Sequence, residues 1–97
     1  MTIKITVNNH GNPAGKLADA ELHFDDGPLQ GLKLIGFSVW ERRNGSGKNV
    51  VFPSRAYSVN GERRSFALLR PVVDFTDSDR LRDLILAAYD AEIVGAQ

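Results

Sequence analysis

Ninety-seven residues are enough for one domain and too few for two. A chain this short buries only about two-thirds of its unfolded surface, so burial against a second copy would add stability. A composition 42% hydrophobic and 25% charged excludes a disordered polymer, and the lack of cysteine excludes disulfides and thiolate metal sites. The formal charge of zero hides a pattern. Residues 1–30 carry two basic and four acidic side chains, net −2. Residues 31–70 carry eight basic against two acidic, net +6, and residues 71–97 two basic against six acidic, net −4. A basic middle suits phosphate. It suits equally well neutralisation by the acidic segment that follows, within the chain or across a dimer.

In chain order, Ile3, Ile5 and Val7 alternate with Thr2, Lys4 and Thr6 over residues 2–8, the pattern of a half-buried strand. Turn formers crowd Asn8 to Gly15 and predict a hairpin loop. Lys16 to Phe24 alternates again, with Ala18, Ala20, Leu22 and Phe24 opposite Asp19, Glu21 and His23. A second loop follows from Asp25 to Gly31. Lys33 to Arg42 predicts a third strand, apolar on both faces: Ile35, Phe37 and Val39 on one, Leu34, Gly36, Ser38 and Trp40 on the other. Such a strand suits a central position covered on its second face by a helix or another chain.

Arg43 to Lys48 is a glycine-rich hairpin loop, and Asn49 to Phe52 a short fourth strand. Pro53 lacks a donor, so pairing should weaken there. Residues 53–59 are expected as an extended connection reaching the Asn60-Gly61 reversal, a dipeptide that supplies positive φ cheaply. Glu62 to Arg70 is the fifth strand, with Arg64, Phe66, Leu68 and Arg70 on one face and Arg63 on the other.

From Asp77 the period becomes helical, with a stripe of Leu81, Leu84, Ile85, Ala88 and Tyr89. Thr76 with Asp79 forms a capping box, Asp77 and Ser78 are alternative caps, and Gly95 is a stop. The expected architecture is α+β: a five-stranded antiparallel β-sheet with one C-terminal α-helix, in a single domain. The N-terminus lacks the apolar core of a signal peptide. The longest apolar run, Leu84 to Tyr89, is far too short to span a bilayer. A soluble cytoplasmic protein without membrane contact is the expectation.

The order of these features resembles the SpoVG family, stage V sporulation protein G or septation regulator. The resemblance is carried by Gly36-Phe37-Ser38-Val39, Val51-Phe52-Pro53-Ser54-Arg55, Asn60-Gly61-Glu62 and Arg70-Pro71-Val72, with Arg80, Ile85 and Tyr89 in the helix. It covers nearly the whole chain, and the phenylalanine-proline-serine-basic step with the asparagine-glycine reversal is its distinctive part. The resemblance implies a small cytoplasmic dimer that binds DNA, or in some members RNA, as a regulator. This chain departs from the family at Ala56, where a second basic residue is usual, and at Arg70, where histidine is common. Gly27 to Gly31 looks inserted, and the helix and tail are acidic, so a basic helical surface does not carry over.

Candidate nucleic-acid contacts follow from the basic middle and the resemblance. Arg55 with Ser54 would fork onto phosphate or a base edge; alternatively Arg55 pairs with an acid of the helix and Pro53-Ser54 merely ends a strand. Arg63, Arg64 and Lys48 are further phosphate contacts, and Arg42 and Arg43 extend the surface or are simply solvated. Tyr57 is a stacking candidate. Trp40 would stack on an unpaired base, or pack under a helix or, like Leu34, at a dimer interface.

Enzyme signatures are weak. Gly45-Ser46-Gly47-Lys48 echoes a phosphate loop but has Arg42 and Asn49 where glycine and serine or threonine are needed. His10 and His23 fit neither metal nor triad spacing. The leading expectation is a non-catalytic, dimeric nucleic-acid-binding regulator with neither cofactor nor metal. Its alternative is a protein-interaction module that meets an acidic partner, and a small enzyme is a weaker third.

Overall fold

The computed structural model describes residues 1–43, 45 and 47–95. Asn44 and Ser46 of the glycine-rich loop, with its phosphate-loop echo, and the two residues after Gly95 lie outside them. The fold is α+β. Six strands, β1 (Thr2–Val7), β2 (Lys16–His23), β3 (Lys33–Glu41), β4 (Lys48–Val51), β5 (Ser54–Val59) and β6 (Glu62–Ala67), precede one helix, α1 (Thr76–Gly95). A short 3₁₀ turn, Gly27–Leu29, sits in the loop between β2 and β3. The strands form two antiparallel sheets, one of four strands in the order β1-β2-β3-β4 and one of two, β5-β6.

The four-stranded sheet and α1 form the body. Alternation puts Ala18, Ala20 and Leu22 of β2, Phe37 and Val39 of β3 and Val50 of β4 on one face, where Ile85 and Tyr89 of α1 close over them. Ile3, Ile5, Leu81, Leu86 and Ile93 pack around this cluster. The helix turns its Leu81-Ile85-Tyr89-Ile93 stripe to the sheet, which leaves Leu84, expected in the stripe, 47% exposed. At the helix start the accepting side chain is Asp74, whose Oδ1 takes the Thr76 N–H at 3.0 Å. That bond holds the Asp74 carboxyl below the usual carboxylate range.

Strand β3 departs from strict alternation. Ala20 pairs with Phe37 but Leu22 pairs with Leu34, so β3 carries one extra residue in a bulge. The bulge turns Leu34 onto the core side with Phe37 and leaves Ile35, expected beside Phe37, 61% exposed. Gly36 makes the bulge possible with φ 106°. A Cβ there would also sit 2.9 Å from Pro53 Cβ. Glycine thus lets the buried Pro53 close onto β3 where the chain leaves the sheet.

Beyond Pro53 the fold differs from the expected single sheet. Residues 54–59 form a strand, and β6 pairs with it rather than with β4. The two-residue Asn60-Gly61 turn, with φ 51° and 83°, demands a partner strand immediately before it. Pro53 cuts that strand off from β4, since it has no N–H to continue the ladder. The result is a two-stranded ribbon in which every residue is exposed and neither strand packs extensively on the body. The radius of gyration reflects the protrusion: 14.8 Å, against about 12.5 Å for a compact chain of this length.

Candidate nucleic-acid interface

The β5-β6 register sorts the ribbon into two unlike faces. Paired positions Val59 and Glu62, Tyr57 and Arg64, and Arg55 and Phe66 lie on one face. Ser58 and Arg63, Ala56 and Ser65, and Ser54 and Ala67 lie on the other. The first face is a chequerboard of cations and rings. Tyr57 and Phe66 touch across one diagonal with centroids 5.6 Å apart, while Arg55 and Arg64 occupy the opposite diagonal. From the ribbon's base Arg70 lays its guanidinium over Phe66 at 5.7 Å and donates its Nε–H to the Ala67 carbonyl at 2.9 Å. The second face is lined by small side chains, with Arg63 near the tip.

Of the sequence-predicted contacts, Arg55, Tyr57 and Arg64 converge on the chequered face, whereas Ser54 and Arg63 face away from it. Arg64 reaches Glu62 Oε2 at 3.0 Å in a fully exposed pair of little net worth. Arg55 and Arg63 make no ion pair among the described residues. Lys48, Arg42 and Arg43 stand at the far end of β4, about 20 Å along the chain path from Ser54. Lys48 is turned to the helix, 3.6 Å from Asp90 and 5.8 Å from the Tyr89 ring centre. Arg42 Nε–H donates to the Lys48 carbonyl at 3.4 Å and so is engaged in its own loop.

The helix neutralises itself more than it neutralises the ribbon. Arg80 pairs with Asp77, and Arg82 with Asp79 at 3.1 Å. Lys48–Asp90 is the contact that joins the basic middle to the acidic helix among the described residues. Among the described residues, no acid of the helix pairs with a cation of the ribbon.

The two residues expected at a dimer interface occupy different places. Leu34 packs against the chain's own core. Trp40 lies half-buried on the sheet face away from α1, with Nε1–H donating to Ser38 Oγ at 2.8 Å and its ring edge beside Gly15. On that face His23 Nε2 lies 2.8 Å from Glu21 Oε1, and Lys33 Nζ lies 3.6 Å from Oε2. The His23 hydrogen bond, assisted by Lys33, holds Glu21 below the usual carboxylate range.

Sequence reasoning missed an apolar groove where the ribbon joins the body. It has a volume of about 550 Å³ and is lined by Val50, Phe52, Leu69, Val73 and Phe75 together with Asp79 and Arg82 of the helix. Beside it Val72, Val73 and Phe75 are 97%, 93% and 80% exposed. Ala67 and Leu69 also line it, so the ribbon's small-residue face runs continuously into the groove. The signal was present as an apolar Val72-Val73 step outside any strand or helix period.

No family model, curated protein or solved structure matches the chain. Among the described residues, no group of three or more histidine, aspartate or glutamate side chains is placed to hold a metal ion. Among the described residues, no helix is long and apolar enough to cross a membrane.

Proposed function

We propose that this chain is a non-catalytic nucleic-acid-binding regulator of the SpoVG type, working in the cytoplasm as a homodimer. One observation carries the reading: the β5-β6 ribbon exposes both faces and sets Arg55 and Arg64 between two rings, with Arg55 lacking an acidic partner among the described residues. Guanidinium forks suit phosphate oxygens and base edges, and rings suit base faces. A ribbon maintained on both faces in water is marginal alone, so a surface shaped this way is best explained by what binds it.

The homodimer rests on the groove and on the ribbon's small-residue face. Exposed Val72, Val73 and Phe75 form an apolar patch with no cover in the monomer. A second copy related by a two-fold axis would cover each groove with the same surface of its mate and close the assembly. The chequered faces would then point outward. Sedimentation should give a dimer, and Val73→Glu with Phe75→Glu should give a folded monomer. A wild-type monomer at micromolar concentration would remove the dimer from the reading.

Fluorescence anisotropy with nucleic acid across a salt series tests the binding itself. Arg55→Ala with Arg64→Ala should weaken binding at least about ten-fold and flatten its salt dependence. Arg63→Ala, on the opposite face, should change it by less than about three-fold. Lack of binding at low salt would instead favour a second reading, an acidic protein partner. That reading draws on the same exposed arginines, and a pull-down would then enrich an acidic protein without nucleic acid.

A further inference from the structure

The chequered face is not built like a surface for duplex DNA. A two-stranded ribbon does fit the major groove, but duplex affinity comes mainly from neutralising many phosphates. This face offers Arg55, Arg64 and, at its base, Arg70, and it subtracts Glu62 at the tip. Of the remaining cations of the basic middle, Arg63 faces the other way, Lys48 is turned to Asp90 and Arg42 is engaged in its own loop, so few further charges supplement this face. The remaining positions are Val59, Tyr57 and Phe66, with Leu68 59% exposed beyond them. Base-pair edges and phosphates would leave such a face with apolar area against polar groups.

Unpaired bases fit it. Every base has a π-face, and exposed aromatics on a β-sheet are a general platform for stacking, with arginine planes serving likewise. Tyr57 is 41% exposed and Phe66 38%. Phe66 is already flanked by Arg70 and Tyr57, so Tyr57 is the ring with room for a base. Arg64 stands directly across the ladder from Tyr57 and Arg55 two residues along the same strand, so both guanidinium groups neighbour such a base on the same face.

We infer that the outward face of the β5-β6 ribbon is a site for single-stranded nucleic acid, with a base stacked on Tyr57 and phosphates held by Arg55 and Arg64. This inference rests on the proposed nucleic-acid function and sharpens its ligand. Stacking depends little on salt, so binding will have a shallow salt dependence: a log–log slope of about −1.5 to −2 for two or three phosphates of a single strand. A duplex mode with six or more phosphate contacts would give about −5 or steeper.

The test is anisotropy with labelled oligonucleotides of about twelve units: oligo-dT, oligo-rU, a mixed single strand and the matching duplex. Wild type, Tyr57→Ala and Tyr57→Phe are compared, each checked to be folded at the assay temperature by a cooperative melting transition above it. The expected result is single-strand binding at least about ten-fold tighter than duplex binding, a loss of about ten-fold in Tyr57→Ala, and retention in Tyr57→Phe. The dT and rU arms decide between the two sources of single strand. Duplex binding equal to single-strand binding, a steep slope, or indifference to Tyr57→Ala would overturn the inference while leaving the regulator reading in place. No binding to any oligonucleotide at low salt would overturn both.

Discussion

In the body, Ala18, Ala20 and Leu22 of β2 alternate with polar neighbours, and Ile85 and Tyr89 close over them. In the ribbon, Arg55, Tyr57 and Val59 alternate just as strictly with Ser54, Ala56 and Ser58, yet none of the six is buried. The two regions share a local rule and differ in what the rule serves. Body alternation separates core from solvent. Ribbon alternation separates a cation–ring face from a small-residue face, a distinction with no consequence for the chain's own core. On the proposed function, recognition rather than folding accounts for it.

Core truncation should give the largest difference between the regions. Ile85→Ala removes a fully buried side chain and should cost about 2–5 kcal/mol in urea denaturation. Tyr57→Ala in the ribbon should cost about 1 kcal/mol or less. Similar losses would mean that ribbon and body fold as one packed unit.

The junction comes next. Gly36→Ala forces a Cβ against Pro53 at a φ of 106°, and should cost about 1–3 kcal/mol. Its amide resonance shifts should extend into Ser54 and Ala67 at the ribbon's base. Gly61→Ala, at φ 83° in the turn, should cost about 1 kcal/mol. Its effect should be confined to faster amide exchange in β5 and β6, with the body's exchange unchanged.

The smallest effect belongs to the helix start. Asp74 in the folded chain has its carboxyl held down by the Thr76 N–H, so its contribution is complete above the unfolded carboxylate range and fades as pH falls through the folded value. Asp74→Ala should therefore melt earlier than wild type at neutral pH, and the gap should close in acid. A gap independent of pH would exclude the carboxylate as its source.

Much of the body was legible in the sequence because its strands obey a period of two and its helix a period near 3.6. The β2 core face, the Asn60-Gly61 reversal and the long helix are direct consequences. Three local features were hidden, each by a residue whose conformation depends on a distant neighbour. Gly36 sits in a bulge that exchanges the faces of Leu34 and Ile35, at the point where Pro53 closes onto β3. Leu84 belongs to a plausible helical stripe, but the sheet selects the stripe through Leu81, Ile85 and Tyr89. Residues 54–59 were expected as a connection because Pro53 marks the end of a strand, although the two-residue turn already required a strand there.

The candidate site was legible as composition and not as a surface. Seven basic residues from Arg42 to Arg70 form one cluster in sequence. In space β4 separates Arg42, Arg43 and Lys48 from the ribbon, and pleating separates Arg63 from Arg55 and Arg64. Phe66 became part of the site only when β6 was paired with β5, because the register, and no feature of its own neighbours, places it diagonal to Tyr57.

Residue-resolved amide and aromatic shift mapping, during titration with a short single strand, tests the central claim most directly. Binding on the chequered face would centre the perturbations on Arg55, Tyr57, Arg64 and Phe66, with Arg63 less affected and Arg42, Arg43, Lys48 and Trp40 nearly still. Perturbations centred on the Arg42–Lys48 loop and Trp40, with a silent ribbon, would contradict it.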